Sequence, residues 1–123
     1  MNPTDKERII HILDAIELIQ DWRITRSHDE MYQSAVFRQL EIIGEAARHL
    51  SDEFKASFTE VPWRQVTGFR NFIVHHYWDT DWSEIEQTVA NDIPEVKRVL
   101  MFTLQQANSE TGTNTSENTS EQA

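Results

Sequence analysis

Along the first twenty residues the apolar positions Ile9, Ile12, Leu13, Ile16 and Ile19 recur at intervals of three and four. That spacing puts side chains on one stripe of a helix and predicts a helix over residues 5–20. Residues 23–28 mix polar and apolar character, include Ser27, and read as a connection. A second helix is predicted over residues 29–50, with Val36, Leu40, Ile43, Ala47 and Leu50 as its buried stripe and Gly44 marking a close contact between helices. Ser51, followed by Asp52 and Glu53, has the form of a cap and acidic first turn for a short helix through Phe58.

Val61-Pro62-Trp63 opens the next helix, where proline's missing amide costs nothing. This helix is predicted to run to about Tyr77, with Asp79-Thr80-Asp81 breaking it. Asp81 or Ser83 then caps a last helix in which Ile85, Val89, Ile93, Val96, Leu100 and Leu104 repeat at helical spacing, with a kink expected at Pro94. Residues 108–123 are Ser, Thr, Asn, Gln and Glu with almost nothing apolar, so a tail without regular structure is expected after a single domain over residues 1–107. With no alternating strand pattern and no internal repeat, the fold expected is all-α, a bundle of four to five helices.

Composition adds limits. Hydrophobic residues make up 38% and charged residues 26% of the 123, which suits one soluble globular domain. No apolar run approaches the roughly 20 residues needed to cross a bilayer. Residues 1–8 carry charges of both signs rather than an apolar signal core, so export is not expected. The absence of cysteine excludes a disulfide framework and a thiolate metal site and fits a reducing cytoplasm. A formal net charge of −10 weighs against sequence-blind binding to long nucleic acid, because affinity for phosphate backbones comes from Lys and Arg. A nucleic-acid function would need a local basic spot acting on a small or folded RNA.

The chemistry concentrates between Arg70 and Tyr77. At about 100° per residue, Val66, Phe69, Phe72, Ile73 and His76 share one side of the helix, which reads as core. Arg70, Asn71, Val74, His75, Tyr77 and Trp78 share the other, where Val, Tyr and Trp would be out of place against water. A second copy of the chain, joined about a two-fold axis, is the simplest cover for that face. Asn71 and His75 are four residues apart, and Arg70 and Tyr77 seven, so these four can surround one groove. Histidine moves protons near neutral pH, and arginine holds a phosphate with paired donors. Together they suit RNA cleavage by the neighbouring 2′-hydroxyl, a reaction that needs no metal. Other readings stand beside this one. A lone His is often a hydrogen-bonded packing residue, and a lone Arg is often a surface charge. His75 and His76 with Asp79 and Asp81 have metal-ligating chemistry, but adjacent residues on a helix point apart. Trp63, Trp78 and Trp82 are more often packing groups than base platforms.

Arg70-Asn71-Phe72-Ile73-Val74-His75-His76-Tyr77 has the form R-N-x-x-x-H-x-Y and resembles the signature of the HepT toxins of the HEPN superfamily, the DUF86 group. Leu40 to Ala47, Val61-Pro62-Trp63-Arg64 and Asn91-Asp92-Ile93-Pro94 resemble further stretches of that family in the same order, so the likeness covers nearly all of residues 5–104. It implies a helical homodimer of HEPN type with a metal-independent ribonuclease site in the dimer cleft. Arg70 and His75 would be catalytic, with Asn71 as a polar helper, Val74 and Trp78 at the pairing surface, and no cofactor. It further implies the toxin of a toxin–antitoxin pair, with tRNA as one candidate substrate and a nucleotidyltransferase of the MNT type as antitoxin. That partner would transfer AMP from ATP to Tyr77, and phosphate attached there would lie along the stripe of Arg70. His76 stands where many members have Gly, and its core-side position favours packing. Two rival classes remain: a HEPN-like module that binds a nucleotide or a partner nucleotidyltransferase without cutting RNA, and a purely structural dimerisation bundle.

Overall fold

The computed structural model describes residues 1–76 and 82–122, and the side chains of residues 1–69 and 82–108. Helix α1 spans Pro3–Thr25, α2 Glu30–Arg48, α3 Asp52–Ser57, α4 Trp63–His76, α5 Trp82–Gln87 and α6 Ile93–Gln122, with a π turn, Thr88–Asp92, joining the last two. If α5, the π turn and α6 count as one bent rod, the described residues form a five-helix bundle without strands, the all-α architecture expected.

Each of the first three helices starts on a side-chain cap that satisfies a free backbone amide. Asn2 Oδ1 accepts from Asp5 N at 2.7 Å, Asp29 Oδ1 from Tyr32 N at 2.9 Å, and Ser51 Oγ from Phe54 N at 3.1 Å. α1 outlasts its expected end by five residues, because Trp22, partly buried against the core, prolongs the stripe begun at Ile9. The turn closes where Arg26 N donates to Trp22 O at 2.9 Å.

α2 lies between α1 and α4, and its apolar stripe serves both. Ile9, Ile12, Ile16 and Ile19 of α1 meet Val36, Leu40, Ile43 and Ala47 of α2, all buried, and Val66 and Phe69 enter from α4. Replacing one such Ile or Leu by Ala would cost about 2–5 kcal/mol, lost transfer energy plus a cavity.

The kink expected at Pro94 takes a definite form. Proline has no amide to donate and its ring crowds the carbonyl four residues back, so regular α-helix cannot pass through it unchanged. The helix widens just before it, and Ile93 N donates to Thr88 O, five residues back, as a π turn requires. Ile85, Val89, Ile93, Val96 and Leu100 stay buried through the bend. α5 starts at Trp82, which puts Ser83 inside the helix rather than at its cap, while Asp81, the other expected cap, lies outside the described residues. α6 runs to Gln122, through the segment for which the sequence predicts no regular structure. An established helix extends at little cost where nothing breaks it. The last side chain it buries among those described is Thr103.

The polar heart of the scaffold is one the apolar pattern does not announce. Asp5, only 4% exposed, accepts from Ser51 N at 2.9 Å and Ser51 Oγ at 2.6 Å, and Asn2 Nδ2 donates to it at 3.0 Å. One carboxylate thereby ties the start of α1 to the start of α3, 46 residues away in sequence.

Candidate active site

α4 is positioned at its start by an aromatic corner. Trp63 Nε1 donates to Phe58 O at 2.9 Å, and the Phe54 ring lies 5.0 Å from Phe58 and 5.9 Å from Trp63. Val61 is buried beneath that corner. From there Val66 and Phe69 carry the inner side of α4 onto α2, as the periodicity predicts. The helix continues to His76, so positions 70, 71, 74 and 75 belong to one rigid element. At about 1.5 Å of rise per residue, positions 71 and 75 are about 6 Å apart along the axis, and 70 and 75 about 7.5 Å. The side chains of Arg70, Asn71, Val74 and His75, and Tyr77 and Trp78 altogether, lie outside the described residues. So do His76, Asp79 and Asp81, the remaining members of the metal arrangement weighed above. Among the described residues no three His, Asp or Glu side chains converge on a point where a metal ion could sit.

What the sequence does not reveal is the wall opposite α4. α5 is braced against α2 by Trp82, whose ring meets Tyr32 edge-on at 5.7 Å and Phe37 at 5.8 Å. Tyr32 is itself stacked on His28 at 4.2 Å and donates to Glu86 Oε1 at 3.4 Å. Burial pushes the Tyr32 phenol up to about 12, helped by the neighbouring Glu86 carboxylate and the bond donated to it, and opposed by the Arg23 cation. Held this way, α5 stands off from α4 and leaves a cleft of about 270 Å³ lined by Leu40, Gln65, Gly68, Phe69, Glu84, Ile85 and Thr88.

Gly68 is the unusual member of that lining. In a helix interior glycine costs about 0.8–1.0 kcal/mol relative to alanine, and is normally kept for a positive φ or a close helix approach. Neither applies, since no glycine among the described residues has positive φ and a Cβ at position 68 would meet nothing within 4 Å. The missing side chain leaves room in the cleft instead. An isolated glycine in a helical pattern was the one signal in the sequence that could have pointed here.

A second cleft, of about 400 Å³, opens between α1 and α2 and is lined by Arg8, His11, Arg38, Glu41 and Glu45, among others. Arg8 Nε is buried there without a hydrogen-bond partner. Arg38 is paired with Glu41, and Glu45 with Arg48 and His49, so acid and base are nearly balanced on that face.

An all-helical bundle of this kind is the architecture of a HEPN-type protein. The family model for ribonuclease HepT-like proteins matches residues 9–102, and the chain belongs to that family. It is 36% identical over 104 residues to a protein of Thermococcus cleftensis named "Probable ribonuclease HepT", a match covering 79% of this chain and 93% of that one. It is also 36% identical over 86 residues to a protein of Methanocaldococcus jannaschii named "Putative RNase", covering 69% of this chain and 79% of the relative. No solved structure matches the chain. No helix among the described residues is long and apolar enough to cross a membrane.

Proposed function

We propose that the chain is a metal-independent ribonuclease that works from α4. The observation that supports this reading is that the family match spans residues 9–102, a stretch in which Arg70, Asn71 and His75 stand on one continuous helix. In this reaction the 2′-hydroxyl of one nucleotide attacks the adjacent phosphorus as the P–O5′ bond breaks, leaving a 2′,3′-cyclic phosphate and a 5′-hydroxyl. His75 handles the proton of the attacking or leaving oxygen, and Arg70 stabilises charge on the phosphoryl oxygens. Asn71 helps hold the phosphate. One imidazole serves poorly as acid and base together, so a homodimer, paired through the face of Val74 and Trp78, supplies a second copy of the site. A folded RNA such as tRNA fits a body whose net charge disfavours long unstructured chains.

The same reading makes the protein the toxin of a toxin–antitoxin pair that acts in the cytoplasm. Its antitoxin is a nucleotidyltransferase of the MNT type that silences it at Tyr77. There the phenol oxygen attacks the α-phosphorus of ATP, pyrophosphate leaves, and the phenolic proton passes to solvent. The added phosphate then competes with RNA for Arg70.

Purified protein should cleave RNA with EDTA present, and Arg70→Ala and His75→Ala should each lower the rate by at least about 100-fold while the mass in solution stays that of a dimer. Equal rates in both variants would remove the reaction from this helix. A binding module without nuclease activity would leave RNA intact in every case. Incubation with the nucleotidyltransferase and ATP should add AMP mass to the wild type and none to Tyr77→Phe.

A further inference from the structure

We propose that the cleft between α4 and α5 is a subsite for a single RNA base, and that it selects a base bearing an exocyclic amino group. The proposal rests on the ribonuclease reading for the role of the base but on its own residues for the site. At about 270 Å³ the cleft falls just below the usual range for whole-ligand pockets, a size that suits one flat ring system. Leu40, Phe69 and Ile85 form an apolar floor, and Gly68 opens the wall. Gly68, position 71 and position 75 lie at i, i+3 and i+7, one stripe of the same helix. A base against Gly68 is therefore about 10 Å along the axis from His75, close enough to belong to a nucleotide beside the reacting phosphate.

The rim decides which base. Thr88 Oγ1 donates its proton to Glu84 O at 3.1 Å, and Gln65 Nε2 donates to Asp92 Oδ2 at 2.8 Å. With the Thr88 proton and one Gln65 N–H engaged, the capacity left over is mostly acceptors, the Glu84 carboxylate, the Thr88 oxygen and Gln65 Oε1, against the one remaining Gln65 N–H. Such a rim accepts from the two N–H groups of the exocyclic amine of adenine, cytosine or guanine, whereas uracil offers a single N3–H between two carbonyls that would face the rim with like polarity. RNA recognition through an unstacked base needs this combination of an apolar slot and a polar edge.

Nothing in the packing demands glycine at position 68, so the cleft can be closed without disturbing the fold. Gly68→Ala should raise the melting temperature by roughly 3–5 °C, which shows that a variant weak in binding is still folded. The protein would be titrated with AMP, CMP, GMP and UMP while the amide NMR signals of Gly68, Ile85 and Thr88 are followed. The three amino-bearing nucleotides should saturate these signals about tenfold more tightly than UMP. Gly68→Ala should weaken that binding, Gly68→Leu should abolish it, and Glu84→Gln should narrow the gap to UMP. No shift with any nucleotide, or shifts that survive Gly68→Leu, would overturn the subsite, and UMP binding as tightly as the others would overturn its selectivity. RNA cleavage by the wild type separates this from the wider reading. Cleavage without base preference and indifferent to Gly68→Leu sinks the subsite alone, whereas nucleotide binding at Gly68 with no cleavage of any RNA sinks the ribonuclease.

Discussion

Two corners of the bundle handle polar groups in opposite ways. Where α1 meets α3, Asp5 is buried and spends its carboxylate on Ser51 N, Ser51 Oγ and Asn2 Nδ2, all on this chain. Where α4 meets α5, the floor is apolar and the polar groups Gln65, Glu84 and Thr88 stand at the rim, with acceptor capacity unspent. A buried polar group with every partner satisfied fixes a scaffold, whereas polar groups left partly free around an apolar slot can receive something else. The first corner is built for stability and the second for binding, and the two should respond differently to mutation.

The largest response is expected at Asp5. Asp5→Ala leaves the half-buried Ser51 amide and hydroxyl without their acceptor, so urea denaturation should show a loss of about 1–3 kcal/mol. Binding measured on the folded fraction should be unchanged. A loss below about 0.5 kcal/mol would mean that the corner is as tolerant as open surface and would erase the contrast.

A smaller effect belongs to Tyr32, which props α5 from below. Its folded pKa, about 12, lies above the ordinary phenol value of 10.0. A group whose folded pKa is raised contributes its full stability below the unfolded value and loses it as pH climbs through the folded one. Stability should therefore fall between about pH 10 and pH 12. Tyr32→Phe should flatten that fall while retaining the ring contact with Trp82. The chain has two tyrosines, so absorbance titration of a Tyr77→Phe background isolates Tyr32. Ionisation near 10 there would mean that the phenol is not withdrawn from water.

The contrast also explains what could be read from sequence. Helical periodicity reports apolar burial, and it identified most of the buried stripes of α1, α2 and α6, from Ile9 to Leu100, together with Val66 and Phe69 of α4, while Phe72 and Ile73 lie outside the described side chains. The motif from Arg70 to Tyr77 stands out in the sequence because its spacing is local, and its role rests on the proposed function. The Asp5–Ser51 tie was not, since an Asp in a first turn looks like an ordinary helix-start acid until tertiary structure brings Ser51 to it. The widening before Pro94 was half legible: proline announces a break, but whether it becomes a bend or a π turn depends on keeping Val89 and Ile93 buried on either side. The α4–α5 cleft left only Gly68 as a trace in the sequence, because it is defined by what is missing, the side chain there, and by residues 84–88 that no local pattern connects to α4.

The smallest effect tests the binding corner directly. Gln65 Nε2 donates to Asp92 Oδ2 at 2.8 Å, an exposed bond that joins α4 to the end of the π turn across 27 residues. If that corner is held by its apolar floor and by the Trp82 brace, the bond is incidental to stability, and Gln65→Ala should change the unfolding free energy by no more than about 0.5 kcal/mol. If instead the bond holds the π turn in place, the loss would approach that of Asp5→Ala, and both corners would be scaffold. Urea midpoints of the two variants, measured side by side, decide between these. Unequal losses mean that the apolar floor and the brace carry the fold there, so that Gln65 Oε1, Glu84 and Thr88 stand at the rim as acceptors for a ligand while the Gln65–Asp92 bond only orients the amide.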